Sequence, residues 1–226
     1  MTDPTLAHLA GFDTPTICNA LELVDPDLRG RGVTDGGFVA GPGWAGPGRA
    51  ICGPAVTARI AGADPAPRTD PGEKSRFYRR VAASPGAVVV IEDTDPAPCA
   101  AFWGEVHTAM HRRLGALGAI TNGVIRDLDD LDPGFLLLGA SAAPSHHHVR
   151  WIDHGQGARV RGLAVRDGDL IHADRHGAVR IPPEALADLP AAVAETQARE
   201  SHLLVWARGG GAPDLDALDR LIGAAP

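Results

Sequence analysis

The sequence predicts a single mixed α/β domain, and three observations carry that prediction. The run GAVVVIED at 86–93 is continuously apolar and ends in acids, the pattern of a strand buried on both faces whose C-terminal end opens into a loop. Val106, Ala109, Met110, Leu114 and Leu117 then recur at three- and four-residue steps, which predicts a helix over 105–117 with that face buried. The chain resumes as a strand over 119–125, and 149–181 reads as several strands joined by turns. Strand–helix–strand alternation followed by a strand-rich segment is the signature of one mixed α/β domain.

The remaining elements follow in order. Asp13-Thr14-Pro15-Thr16 supplies a capping group and an early proline for a helix through ICNALEL. Residues 25–50 are rich in Gly and Pro and read as an irregular segment. ICGPAVTARI at 51–60 reads as a strand, 61–72 as a loop, and Phe77, Tyr78 and Val81 mark a short helix over 73–83. Residues 93–103 read as a loop and Phe135–Gly139 as another buried strand. Arg166-Asp167-Gly168-Asp169 is a turn, followed by a strand over 170–174. Pro182-Pro183 opens a long helix over about 184–207. Gly209-Gly210-Gly211 is a flexible break, and 213–222 forms a last amphipathic helix. The domain is therefore expected to span 1–208, with 209–226 as a break and C-terminal helical extension.

Composition narrows the function. The net charge is −7, and Arg79-Arg80 and Arg112-Arg113 are isolated pairs that build no basic stripe, so no nucleic-acid partner is expected. Cys18, Cys52 and Cys99 are an odd, widely spaced set, no disulfide framework, which points to a reducing cytoplasm. The N-terminus lacks the basic and apolar regions of a signal peptide. No apolar run is long enough to cross a bilayer, so no membrane partner is expected.

The chemistry concentrates in residues 104–130, GEVHTAMHRRLGALGAITNGVIRDLDD. The first amides of the helix after Gly104 are free donors at the positive end of its dipole, suited to a carboxylate or an enolate oxygen. Gly104 lets a ligand approach them closely. The returning strand brings Arg126, a planar two-pronged carboxylate partner, and Asp127, a hard oxygen ligand for a divalent cation, toward the same sheet edge. One local unit can thus supply an anion cradle, a cationic clamp and a metal anchor. Spacing alone leaves a plainer reading open, in which Arg126-Asp127 is a surface pair and Glu105 a first-turn acid favoured by the helix dipole.

This segment resembles the RraA-like family, which includes 4-hydroxy-4-methyl-2-oxoglutarate aldolases and the regulator of ribonuclease activity A. The family's aldolases carry an acid, twenty residues, Arg-Asp, two residues, and a further acid. Here these are Glu105, Arg126-Asp127 and Asp130. The regulators tend to lack the last acid. TPTICNALE at 14–22, GPAVTARI at 53–60 and VRDGDLIHADRHGAVRIP at 165–182 resemble the family's first helix, first core strand and late signature.

The resemblance implies a swivelling β/β/α fold assembled as trimers or hexamers, with active sites at subunit interfaces. It implies Mg²⁺ or Mn²⁺ held by Asp127 largely through waters, with Glu105 acting through water and Asp130 as support behind. It implies a 2-oxo acid held by Arg126 and by the 104–107 loop, that is Gly104, Glu105, Val106 and His107. The expected activity is that of a metal-dependent lyase, an aldolase or decarboxylase acting through a pyruvate enolate, with Arg126, Glu105 and Asp127 as its catalytic residues. Two departures stand out. Asn122-Gly123 replaces the usual Asp-Gly, and Asp167 the usual Pro. A Glu donated by a neighbouring subunit has no unique match, Glu195 and Glu200 being the nearest choices.

Two alternatives remain. One is a non-catalytic, protein-binding regulator. The other is a hydrolase whose metal is held by histidines, drawn from His146, His147, His148 and His154, or from His172 and His176. His146 and His148, if alternate on a strand, would point together and could touch substrate. Trp103, with Phe102, is expected to wall the pocket.

Overall fold

The structure, a computed structural model, describes residues 3–44, 50–65 and 70–223. Its helices are α1 (Pro4–Leu9), α2 (Thr14–Val24), α3 (Pro71–Ala82), α4 (Glu105–Arg113), α5 (Leu189–Ala207) and α6 (Leu215–Gly223). Its strands are β1 (Val39–Ala40), β2 (Ala50–Ala61), β3 (Val88–Asp93), β4 (Ala101–Trp103), β5 (Gly118–Thr121), β6 (Val124–Ile125), β7 (Leu136–Gly139), β8 (Ser141–Ala142), β9 (Arg150–His154), β10 (Ala158–Val160), β11 (Leu163–Val165), β12 (Leu170–Asp174) and β13 (Gly177–Ile181). No helix among the described residues is long and apolar enough to cross a membrane.

The main sheet runs β1-β7-β5-β3-β2-β12-β13. Its centre, β7-β5-β3-β2, is parallel. The long strand β2 joins two regimes. Its first half pairs antiparallel with β12, and its second half pairs parallel with β3 and antiparallel with β9. One strand thereby serves two partners on one edge in succession, which curls the sheet. The buried run predicted at 86–93 is β3: Val88 and Val90 pack into one core cluster, Val89 and Ile91 into another, the alternation of a strand covered on both faces.

Several predicted boundaries move for identifiable reasons. Asp70 caps α3 by accepting from the Gly72 amide at 3.0 Å, so that helix starts before 73. Residues 183–185 form a 3-10 turn, and α5 begins only at Leu189. The N-terminal helix α1 has no counterpart in the sequence reading; Asp3 caps it through the Thr5 amide.

Two corrections bear on function. The segment 93–103 is not wholly loop, because β4 pairs with β6 and β6 with β8 in a separate three-stranded parallel sheet. The strand expected over 119–125 is accordingly two strands. Asn122 ends the β3–β5 ladder with its side chain, accepting from the Asp93 amide at 2.8 Å and donating to the Asp93 carbonyl at 2.7 Å. Gly123 then turns, its amide on Thr121 Oγ1 at 2.9 Å, and the chain crosses into the smaller sheet.

The second correction concerns α4, which ends at Arg113 with Gly115 in the left-handed region (φ 94°) just beyond. The apolar face read from its periodicity is not the buried one. Val106 is 63% and Met110 37% exposed, whereas Thr108 and His111 are fully buried. Thr108 satisfies its hydroxyl on the Gly104 and Glu105 carbonyls. His111 places Nδ1 2.7 Å from the His107 carbonyl and sits among Phe77, Tyr78, Trp103 and Phe135. Once hydrogen-bonded locally and ringed by aromatics, a polar residue can occupy a core position that pattern reading reserves for apolar ones.

Candidate active site

The small sheet positions the site. The Arg126 amide donates to the Trp103 carbonyl at 2.9 Å, so the strand end carrying Arg126 and Asp127 lies against the entry to α4. Gly104 is the residue before that helix. A Cβ built on it would stand 2.4 Å from Asp127 Oδ2 and 3.2 Å from Arg126 Cγ. Its φ of −159° is ordinary extended backbone; close approach, not conformation, requires glycine here.

Asp127 is held in two ways. Its backbone lies in the left-handed region, φ 55°, uncommon for a residue with a side chain though more accessible to Asp than to most. Its carbonyl accepts the Asp130 amide at 3.0 Å. Its Oδ2 accepts the Glu105 amide at 3.3 Å and lies 3.5 Å from Arg126 Nε. Asp127 thus caps α4 from a distant part of the chain, where the dipole favours an anion. That leaves Oδ1 without a hydrogen-bond partner among the described residues. The amides of Val106 and His107, also in the first turn, likewise have none.

These groups open onto a cleft of about 540 Å³. Its wall includes Gly104, Val106, His107, Arg126 and Asp127 together with Lys74, His146, His147, His148 and Arg150. Phe102 and Trp151 contribute apolar surface. Arg126 and Asp127 each leave 37% of the side chain exposed, so both reach solvent through the cleft. Burial pushes the His107 imidazole down to about 3, helped by the charges of His111, Lys74 and Arg126, so it is neutral at ordinary pH. Burial likewise pushes His111 down to about 4.

Of the residues singled out from sequence, Gly104, Val106, His107, Arg126, Asp127, His146 and His148 meet at this cleft. Glu105 is exposed and is not among the residues that line the cleft; its amide rather than its carboxylate contacts Asp127. Asp130 is exposed and reaches Asp127 only through its amide. Trp103 does not wall the cleft. It is fully buried among Phe102, His111 and Phe135, and its neighbour Phe102 takes the wall, since successive strand residues point to opposite sides. Glu195 pairs with Arg199, and Glu200 accepts from Asn19 at 3.1 Å.

Lys74 and Arg150 were missed. They lie in α3 and at the start of β9, distant in sequence from Arg126, and no local pattern marks them. His146 and His148 reach the cleft from a turn, not from one face of a strand: His147 has φ 41°, and the Ser145 hydroxyl accepts its amide at 3.0 Å.

No three His, Cys, Asp or Glu residues converge as a metal cage among the described residues. Of the histidines considered as metal ligands, His146, His147 and His148 reach the cleft, whereas His154 bonds Glu73 at 3.2 Å, His172 bonds Thr14 at 3.0 Å and His176 bonds Asp174 at 2.9 Å. A single carboxylate with one oxygen unpartnered among the described residues, on a side chain 37% exposed in a cleft wall, suits a hard cation that keeps most of its waters, not a closed nitrogen and sulfur site.

The model of the RraA-like family (Aldolase/RraA) matches residues 14–180. The chain belongs to the RraA-like family. Three solved structures share its fold. One, an uncharacterized protein from Pseudomonas syringae pv. tomato, is 20% identical with a TM-score of 0.69, covering 97% of this chain and 95% of that one. A Streptomyces coelicolor protein, RraAS2, described as an unusual member of the RNase ES inhibitor RraA protein family, is 20% identical with a TM-score of 0.67, covering 88% and 96%. A protein described among novel cellulases from gut-associated microbes is 17% identical with a TM-score of 0.71, covering 89% of each chain. No curated protein matches the sequence. The mixed α/β fold with its curled sheet and C-terminal helix is that of the RraA-like family, as the sequence resemblance implied.

Proposed function

We propose that this RraA-like chain is a divalent-metal-dependent lyase that cleaves or decarboxylates a 2-oxo acid through a pyruvate enolate. The observation that carries this reading is the meeting, in one cleft, of the Arg126 guanidinium, the unpartnered Oδ1 of Asp127 and the unpartnered amides of Val106 and His107.

Arg126 clamps the substrate carboxylate with the planar fork that Lys lacks. The Val106 and His107 amides donate to the oxygen on which negative charge gathers, fixed dipoles that need no reorganisation during reaction. Asp127 anchors Mg²⁺ or Mn²⁺, which when bound supplies the Lewis acidity that favours enolate formation. Glu105, exposed between the cleft-lining Gly104 and Val106, orders water or passes a proton at the carbon released by bond cleavage. Asp130 steadies the turn that presents Asp127. Neutral His107 offers a hydrogen bond without adding charge. The apolar side chains of Val106, which lines the cleft, and of Met110 and Leu128 are exposed, and a homotrimer or hexamer with its sites at subunit interfaces would cover them.

The test is pyruvate release from oxaloacetate and from 4-hydroxy-4-methyl-2-oxoglutarate, with and without Mg²⁺. Activity that needs Mg²⁺ and disappears in Asp127→Ala supports the reading, and activity that survives EDTA or persists in that variant rejects it. Two inert substrates with Mg²⁺ still bound would move the reading to another 2-oxo acid. Two inert substrates with no Mg²⁺ binding would favour a protein-binding regulator, the reading that the RNase-inhibitor description of the Streptomyces coelicolor structure supports.

A further inference from the structure

A second concavity, of about 450 Å³, is lined by Arg59, Glu92, Arg166, Asp169 and Arg180. It shares no lining residue with the Arg126–Asp127 cleft, and the alternation of β3 separates the two. Val89 and Ile91 pack in the cluster that contains Phe102, a wall of that cleft. Val88 and Val90 pack instead with Ala158 and Val165, which line the second concavity. Glu92, two residues beyond Val90, projects to the same side as Val90. The second concavity therefore lies across the main sheet from Phe102.

Bonds within the protein hold its walls. The Gly168 amide donates to the Ala55 carbonyl at 2.8 Å, and the Ala55 amide to the Asp169 carbonyl at 2.8 Å, so the 166–169 turn is pinned to β2. Asp167, which departs from the family's usual Pro, adds to this by accepting the Thr57 amide at 2.9 Å and pairing with Arg80. Glu92 Oε2 accepts the Arg159 amide at 2.8 Å, and Asp169 Oδ2 accepts the Arg166 amide at 2.8 Å. Each acid keeps one oxygen without a hydrogen-bond partner among the described residues. Arg59 is taken up by Asp153, its Nε 3.0 Å from Oδ1. The Arg166 guanidinium has no partner among the described residues. Arg180 Nε comes only to 3.9 Å from Asp169 Oδ2, beyond hydrogen-bond range.

We infer that this concavity is a second small-molecule site, for a zwitterionic α-amino acid, with the ligand's carboxylate on Arg166 and Arg180 and its ammonium on Glu92 and Asp169. A planar guanidinium is the fitting partner for a carboxylate, and the two unpartnered carboxylate oxygens accept from an ammonium. A simple anion would meet Glu92 and Asp169 as well as the arginines, and a simple amine would meet the arginines as well as the acids. A ligand with both charges on neighbouring carbons answers both sets, and the mismatched charges disfavour the others. A volume of about 450 Å³ lies in the range, roughly 300–1,000 Å³, of small-molecule sites. Gly157, Ala158 and Ala164 also line it, short residues that let one small molecule reach both signs of charge. The inference is independent of the chemistry assigned to Arg126 and Asp127.

Melting curves of the full chain with each standard α-amino acid in turn, at millimolar concentration, test it, because a ligand of the folded state raises the melting temperature. At least one amino acid is expected to do so. Calorimetric titration then compares that amino acid with the carboxylic acid that lacks its amine and with the amine that lacks its carboxylate; each is expected to bind about tenfold or more weakly. Arg166→Met, Arg180→Met and Glu92→Gln are each expected to weaken amino-acid binding by about tenfold or more, and Arg126→Met to leave it unchanged. Glu92→Gln keeps an acceptor for the Arg159 amide, and Arg166 is exposed, so these variants alter the site without opening the core. No amino acid that raises the melting temperature overturns the proposal, as does a carboxylic acid or an amine that binds as tightly as the amino acid. Binding that survives both arginine variants, or that depends on Arg126 in their place, overturns it as well.

Discussion

The Glu105 amide donates to Asp127 Oδ2 at 3.3 Å across 22 positions of sequence. This one bond ties the strand end that carries Arg126 to the start of the helix whose next residues, Val106 and His107, line the cleft. It also separates two roles of Asp127, because one oxygen caps the helix and the other is left for a ligand.

That separation gives the first prediction. Asp127→Asn keeps an acceptor for the Glu105 amide but removes the charge. Thermal stability should change little, since Asn is also a good cap, while Mg²⁺ affinity and lyase activity should fall by about two orders of magnitude. Melting curves beside metal titrations check this. A large loss of stability with metal binding intact would make Asp127 a structural cap.

Gly104→Ala tests the close approach. The added methyl would meet Asp127 Oδ2 at 2.4 Å, so Arg126 and Asp127 must move. Overpacking of this kind costs about 1–3 kcal/mol, and displacement of the reacting groups should lower kcat/KM by about a hundredfold. Denaturant unfolding and steady-state kinetics on the same preparation read both.

Arg126→Lys keeps the charge and removes the fork. Inhibition by oxalate should weaken by about tenfold or more. Unchanged inhibition would place the carboxylate clamp elsewhere in the cleft.

His111 predicts a pH dependence of stability. Burial lowers its folded value to about 4, below the value of about 6.5 expected in the unfolded chain. The unfolded state therefore takes up the proton first. Stability from the neutral ring is complete above about pH 6.5 and is lost as pH falls toward 4. The loss should reach about 3 kcal/mol, at roughly 1.4 kcal/mol per pH unit. His111→Gln should flatten this part of the profile when melting temperatures are compared between pH 7 and pH 4. Parallel profiles would show that protonation of His111 is not coupled to unfolding.

What the sequence alone determined was whatever local chemistry controls. The VVVI run of β3 admits only a strand covered on both faces, and the Asp13 and Pro15 start of α2 needs no long-range partner. The helix start at Gly104 and the returning strand end at Arg126-Asp127 were legible as neighbours, because one strand–helix–strand unit fixes its own return; spacing alone left a surface pair open, and it was the family resemblance that singled this segment out. What only the tertiary structure decided was which groups face one another across unrelated elements. Asn122 diverts the chain into a second small sheet by bonding to Asp93 on a neighbouring strand. His111 displaces Val106 and Met110 from the buried face because four aromatic side chains from other elements enclose it. Lys74 and Arg150 enter the cleft from α3 and β9. Periodicity reports the environment of a residue along its own element. A cleft is a property of surfaces brought together by folding, and its charge cannot be summed until they meet.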